Sequence, residues 1–318
     1  MSRIIVTGCA GFIGSHLCEL LLNRHHQVIG IDNFLPESYD SKIKIKNLSQ
    51  FINHPNFRFY EMDLTQKIEK DFFQDGDTVI NEAAIPGLPL SWSNPELYFK
   101  QNTFLPINIL NSFSKLNLKK FIQISTSSVY GKFAVGDENL ILNPSSPYGV
   151  SKLAAEKMIE NYCNNMKIDF AILRYFSVFG PRQRPDMAYH QIIKKILLNQ
   201  PIEIFGDGKQ TRTNTYVKDI ALGTIQALTE QTAGKIYNLA GSKSVTLLET
   251  IEFISAELQV KFPKIVHLPE RDGDQRETKG VFEKASRDFA YNPATDFWVG
   301  LKSQIEYQIK IYSEKSSL

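Results

Sequence analysis

The chain has 318 residues, 42% of them hydrophobic, which is enough for a buried core in one large domain or two intimate ones. Lysine plus arginine (36) nearly cancel aspartate plus glutamate (34), so the net charge of +2 excludes the strongly basic surface by which nucleic acid or an anionic membrane would be bound. Cys9, Cys18 and Cys163 form neither a CxxC pair nor an even disulfide framework; no structural metal is expected, and with no leader and no apolar run able to cross a bilayer the chain reads as cytoplasmic.

The first half alternates short apolar runs with amphipathic stretches. Ile4 to Val6, Val28 to Ile31, Phe57 to Tyr60, Thr78 to Ile80 and Phe121 to Ile124 read as strands; Phe12 to Asn23, Pro95 to Leu116 and Pro147 to Asn165 read as helices. That rhythm predicts repeated βαβ units and a Rossmann doubly wound parallel sheet over residues 1–174, completed by part of 212–240. After Arg174 the pattern loosens at Pro181, Pro185, Pro201 and the Gly206-Asp207-Gly208 turn, and shorter elements follow around Ile192 to Leu198, Leu247 to Leu258 and Leu301 to Ile311. Residues 175–318 are therefore expected to form a smaller mixed α/β part that closes a ligand cleft against the sheet.

Between the first strand and helix stands Thr7-Gly8-Cys9-Ala10-Gly11-Phe12-Ile13-Gly14. Gly8 permits a tight turn, Gly11 lets the backbone approach a pyrophosphate, Gly14 allows close helix-strand packing, and the helix start presents oriented amides to the anion. Asp32, ending the second strand, is placed to bond the adenosine ribose hydroxyls, with Asn33 beside it. No arginine or lysine follows directly in Asn33-Phe34-Leu35, so a 2′-phosphate would meet a negative charge without a counter-cation and NAD is favoured over NADP. Asp63-Leu64 and Ala83-Ala84-Ile85 end the third and fourth strands at the edge where such a cofactor lies, and Asn102 is assigned to the same site.

The fifth strand runs into Ser125-Thr126-Ser127-Ser128, and Tyr148-Gly149-Val150-Ser151-Lys152 starts the following helix. Tyr148 and Lys152, four apart, project from one face. Lowering a tyrosine pKa from about 10 to about 7 takes roughly 4 kcal/mol. An ammonium about 5 Å away supplies about 3 kcal/mol at an effective dielectric of about 20. A positive nicotinamide ring supplies the rest, leaving Tyr148 as a base, with Thr126 or Ser125 holding the reacting hydroxyl. A lone Tyr-x-x-x-Lys is more often a solvated helical pair; its place after the Ser/Thr strand end and the glycine loop gives it meaning.

At these motifs the chain resembles the extended short-chain dehydrogenases/reductases, specifically the NAD-dependent nucleotide-sugar epimerases and dehydratases. The resemblance extends through Leu173-Arg174-Tyr175-Phe176-Ser177-Val178-Phe179-Gly180-Pro181-Arg182-Gln183, Arg184-Pro185-Asp186-Met187-Ala188, Phe205 to Arg212 and Arg271-Asp272-Gly273-Asp274. It implies that Tyr175 and Val178 join the cofactor site. It further implies that Ser127, Ser128, Ser177, Arg184, Ala188, Tyr189, Phe205, Arg212, Arg271 and Asp274 line a UDP-sugar site, with Arg212 and Arg271 on the pyrophosphate. Asn81, Thr213-Asn214, Lys218 and Ser177 depart from the usual pattern of that family.

Related dehydratases carry Asp-Glu after the threonine and related decarboxylases a glutamate at the second position, where this chain has Ser127-Ser128, so the resemblance implies a UDP-sugar 4-epimerase. In it, Tyr148 takes the proton of the 4-hydroxyl, NAD takes the hydride of carbon 4, and the 4-keto sugar receives it back on its other face. A dehydratase or decarboxylase, and a non-catalytic NAD-binding sensor, are the competing readings. UDP-glucose and UDP-glucuronate are both candidate substrates: three serines suit a carboxylate without promoting decarboxylation, while Arg271 to Asp274 resembles the neutral-hexose enzymes. The resemblance also implies a homodimer through Leu97, Leu105, Ile109, Leu153, Met158 and Ile159 on the two long helices.

Overall fold

The computed structural model describes residues 2–69 and 72–316. The apolar runs become strands β1 (Arg3–Thr7), β2 (Gln27–Asp32), β3 (Phe57–Glu61), β4 (Thr78–Asn81) and β5 (Lys120–Thr126). Two further strands, β6 (Phe170–Tyr175) and β7 (Lys235–Leu239), complete a parallel sheet in the order β7-β6-β5-β4-β1-β2-β3. Alternate side chains serve opposite faces: Ile4 and Val6 enter one core with helix α1 (Phe12–Asn23), and Ile5 enters the other with Leu105, Ile109 and Ile159. Burial on both faces is what makes the strands read as continuous apolar runs. The sheet changes direction between β1 and β4, and a crevice opens there at the carboxyl ends.

The predicted helix from Pro95 to Leu116 is three pieces: Pro95–Phe99, a π-helical turn Lys100–Phe104, and Leu105–Ser112. Pro106 has no N–H to offer the carbonyl four residues back, and the chain widens by one residue per turn ahead of it. The next long helix, Pro147–Met166, is capped by Ser146, whose Oγ accepts from Gly149 N at 3.1 Å, and starts with proline at its first position.

Beyond β6 the chain is less irregular than its prolines suggest. Helix Val217–Gln226 packs on α1, and Ser244–Thr246, Thr211–Thr213 and Glu277–Gly280 form one four-stranded sheet with the earlier segment Phe133–Gly136. The last helix, Phe297–Ser316, is 20 residues long and packs on Ala188–Leu197 and Leu247–Glu257. No helix among the described residues is long and apolar enough to cross a membrane.

Candidate active site

The carboxyl edge of the sheet carries a cavity of about 270 Å³. Gly8, Gly11, Phe12, Ile13, Gly14, Asp32, Asn33, Leu64, Ala83, Ala84, Ile85, Ser125, Thr126, Tyr148, Lys152, Tyr175 and Val178, gathered from six strand ends, all line it. The glycine turn is set by backbone contact. Gly8 has φ +67°, and a Cβ on Gly14 would lie 2.1 Å from Gly8 O, so α1 can begin against β1 only with glycine at 14. The space so kept, with the buried Tyr39 hydroxyl left without a partner near Gly11, fits an extended dinucleotide.

Asp32 is tightly held: Oδ2 accepts from Ala10 N at 3.2 Å and Oδ1 from Phe34 N at 2.8 Å. The expectation that it lacks a cation is corrected by Lys44, whose Nζ lies 3.3 Å from Oδ1. That lysine comes from helix Ser41–Leu48, capped by Asp40, which accepts from Lys42 N at 2.9 Å. The Asp40 cap was the overlooked signal for this helix.

Two residues assigned to the cofactor do not reach the cavity. Asp63 turns its carboxylate back on Thr65 N and Oγ1, at 2.9 and 2.8 Å, which keeps its pKa below the usual carboxylate range. Asn102 is spent on Ile85 N (2.8 Å), Ile85 O (3.0 Å) and Ser151 Oγ (3.0 Å), pinning the segment after β4 to the Tyr148 helix. The π-helical turn exposes its neighbour Gln101 to the cavity instead.

At one end of the cavity Tyr148 and Thr126 stand together on the lining. Lys152, fully buried, donates Nζ to Ile124 O at 2.6 Å, and burial lowers its pKa to about 8 against the opposing charges of Glu82 and Glu156. The phenol is not acidified by this lysine as the spacing suggests. Burial raises its pKa, while the neighbouring Thr126 hydroxyl and the Arg184 guanidinium pull it down. Ser125 also takes a different part: its hydroxyl donates to Glu156 Oε1 at 2.5 Å, and Glu156 pairs bidentately with Arg174 at 2.9 and 2.6 Å. Tyr148, Lys152 and Glu156 form one stripe at a spacing of four, so Glu156 was findable from the pattern that found the other two.

A second cavity, of about 910 Å³, adjoins the first. Ser177 and Arg184 line both; Ala188, Tyr189, Phe205, Arg212, Arg271 and Asp274 line the second. Arg271 lies over Phe205, its Cζ 3.3 Å from the ring centroid. Arg212 donates to Thr211 O at 3.0 Å and to Gln275 O, and burial depresses its pKa. Asp274, facing both arginines, is raised by burial against their pull. Arg184 is clamped by Asp186, at 3.0 and 2.5 Å. Its loop is tied to the last helix through Gln304, which accepts from Gly180 N at 2.9 Å and donates to Gln183 Oε1 at 2.8 Å.

Ser127 and Ser128 line neither cavity. Ser127 Oγ donates to Gln275 Oε1 at 3.2 Å, and Ser128 Oγ accepts from Thr126 at 3.3 Å. Gln275 also donates to Ser127 O and Gly131 O at 3.1 and 3.0 Å, fastening the Arg271 arm to the end of β5. Of the three serines expected around the sugar, Ser177 alone reaches the cavities.

A parallel sheet with a glycine-walled crevice at its switch point and a Tyr-x-x-x-Lys helix at one end defines an α/β nucleotide-cofactor protein of the short-chain dehydrogenase/reductase type. The chain belongs to the NAD dependent epimerase/dehydratase family, whose profile matches residues 4–240. It is 37% identical over 314 residues to an uncharacterized UDP-glucose epimerase of Bacillus subtilis, covering 98% of this chain and 99% of that one. A UDP-glucuronate 4-epimerase of Thermodesulfobacterium geofontis is 35% identical, with 96% of each chain covered. Among solved structures, the UDP-glucuronic acid 4-epimerase of Bacillus cereus in complex with UDP-glucuronic acid and NAD superposes with a TM-score of 0.94 at 38% identity, covering 98% of this chain and 100% of that one.

Proposed function

We propose that the protein is an NAD-dependent 4-epimerase of UDP-sugars and that UDP-glucuronate is its substrate. The observation that carries this reading is the seam between the two cavities, where Thr126 and Tyr148 border a pocket fitted to a dinucleotide and Ser177 and Arg184 open onto one walled by Arg212 and Arg271. The cofactor belongs to the sheet of residues 1–174 with strand 235–239, and the UDP-sugar to the remainder of 175–318. The likeness to two UDP-glucuronate 4-epimerases supports this choice of sugar.

Tyr148, as the phenolate, accepts the proton of the 4-hydroxyl, and Thr126, beside it on the cavity wall, steadies that hydroxyl. Bound NAD supplies the hydride acceptor and donor for carbon 4. Arg184 lowers the cost of the phenolate that must stand ready before the proton moves, and its own charge is balanced by Asp186. Arg212 and Arg271 hold the diphosphate, the guanidinium of Arg271 backed by Phe205. Ser177, the one of the three serines that reaches the cavities, receives the sugar carboxylate as a neutral donor. Incubating the protein with UDP-glucuronate, UDP-glucose and UDP-N-acetylglucosamine separately tests this: formation of UDP-galacturonate at the highest kcat/KM supports it, and turnover of UDP-glucose alone overturns the choice of sugar.

The homodimer is proposed on a narrower face than the sequence suggested. Leu105, Ile109 and Ile159 are buried in the protein's own core. The face left on the two helical segments carries half-buried Leu97, Leu153 and Met158 together with exposed Phe104 and Val150. Three buried free cysteines suit a reducing cytoplasm.

A further inference from the structure

Glu82 has no task in the proton chemistry above. It follows β4 at the carboxyl edge, between two residues whose polar groups are spent on the sheet. Asn81 accepts from Thr7 Oγ1 at 2.7 Å and donates to Gln123 at 2.9 Å, and Ala83 N donates to Thr7 Oγ1 at 3.0 Å. Glu82 lines the first cavity with Tyr148, Lys152 and Tyr175, and its Oε2 is cut off from solvent with no hydrogen-bond donor. A carboxylate oxygen buried without a donor on the wall of a ligand cavity is costly unless something that binds there uses its charge.

The groups around it narrow what that is. Lys152 faces it from the Pro147–Met166 helix, with Nζ turned to Ile124 O, so the carboxylate receives the ammonium's field without being capped by it. Tyr148 on the same helix and Tyr175 at the end of β6 also feel its charge, and burial raises both phenols above their ordinary range. Glu156 stands one turn beyond Lys152, occupied by Ser125 and Arg174.

We propose that Glu82 is a cofactor-poising residue, a carboxylate at the catalytic end of the cavity that favours the oxidised, cationic nicotinamide over the reduced, neutral one. This rests on the reading of NAD as the bound cofactor. It acts through charge and is not a catalytic residue. Burial raises the Glu82 pKa above the usual carboxylate range against the pull of Lys152, so the group gains its charge as the pH rises. The preference for the oxidised cofactor therefore strengthens as the pH rises and fades as it falls, and binding of the cationic ring drives the Glu82 proton into the buffer.

The test is titration of cofactor-stripped protein with NAD by calorimetry and with NADH by fluorescence, from about pH 6.5 to about pH 9. In the wild type the ratio Kd(NADH)/Kd(NAD) should rise about tenfold over that range. In Glu82→Gln the rise should shrink to the part that Lys152 alone contributes, at least about threefold smaller than in the wild type, and Glu82→Asp should keep most of it. A purely structural role would move both constants together and leave the ratio alone. A ratio in Glu82→Gln that tracks the wild type within about twofold overturns the inference. Should Glu82→Gln not fold, the wild type and Glu82→Asp decide it: a flat wild-type ratio overturns it, and a rise whose midpoint moves in Glu82→Asp supports it. If the wild type binds neither cofactor, the cofactor reading falls and this inference with it; binding of both at a flat ratio removes the inference alone.

Discussion

The cavity at the strand ends and the larger one beside it hold their shapes by different means. The first is walled by backbone: the Gly8 turn, the start of α1 and the ends of β1, β2, β4, β5 and β6, braced by Asn102 and by the buried Thr7-Asn81-Gln123 ladder. The second is walled by long side chains on loops, with Arg271 resting on Phe205 and Arg184 on Asp186. Backbone walls cannot be rearranged without unfolding the sheet, which suits a cofactor regenerated within each cycle and retained. Side-chain walls can open, which suits a sugar nucleotide that must exchange at every turnover.

The largest expected effect lies at the seam. Tyr148→Phe should lower kcat by at least about 10³-fold, roughly 4 kcal/mol of barrier, while NAD binding and thermal stability stay at wild-type values. Steady-state kinetics within about tenfold of wild type would deny Tyr148 the role of base and remove the chemical distinction between the cavities.

Acid should loosen the joint between the two parts next. His16 on α1 bonds Pro181 O at 3.0 Å, and burial with the nearby Arg182 charge lowers its pKa to about 4. The unfolded chain takes up this proton near the ordinary value of about 6.5 and the folded chain only near 4, so the contribution is complete above 6.5 and lost as the pH falls toward 4. The loss is about 3 kcal/mol by denaturant unfolding, and His16→Asn should flatten this part of the profile.

Arg271→Ala should separate the cavities cleanly. Its loss should raise KM for the UDP-sugar by about thirtyfold, roughly 2 kcal/mol, with the NAD dissociation constant unchanged. A matching loss of NAD affinity would mean that the two sites are not independent. The smallest effect belongs to Lys44→Met. With its cation gone, Asp32 should discriminate against NADP more strongly, by about fivefold or roughly 1 kcal/mol, as read by competition between the two cofactors.

The same contrast explains what could be read from the residues. β1 to β5 and their terminal residues were legible because a parallel strand buried on both faces writes itself as an apolar run, and a cofactor lies at its carboxyl end by topology. Gly14 and Asp32 needed no long-range information. Asp63, Asn102 and Ser125 sit at equally suggestive positions, yet each side chain is captured locally, by Thr65, Ile85 and Glu156; such competition among short polar groups is invisible to spacing. Gln275 draws Ser127 away from the sugar across 148 residues of sequence, a contact that no local pattern announces. Glu82 precedes the Ala83-Ala84 pair, and an acid at the end of an apolar strand, between Asn81 and two alanines, is itself a signal.

The central claim is that one molecule of bound cofactor inverts carbon 4 of UDP-glucuronate by taking and returning the same hydride. UDP-glucuronate carrying deuterium at carbon 4 measures this directly when the product is analysed by NMR and mass spectrometry without added NAD. The account predicts UDP-galacturonate that retains the deuterium at carbon 4 and no release of carbon dioxide. Product that has lost the label, a decarboxylated pentose nucleotide, or no conversion by NAD-loaded protein would contradict it.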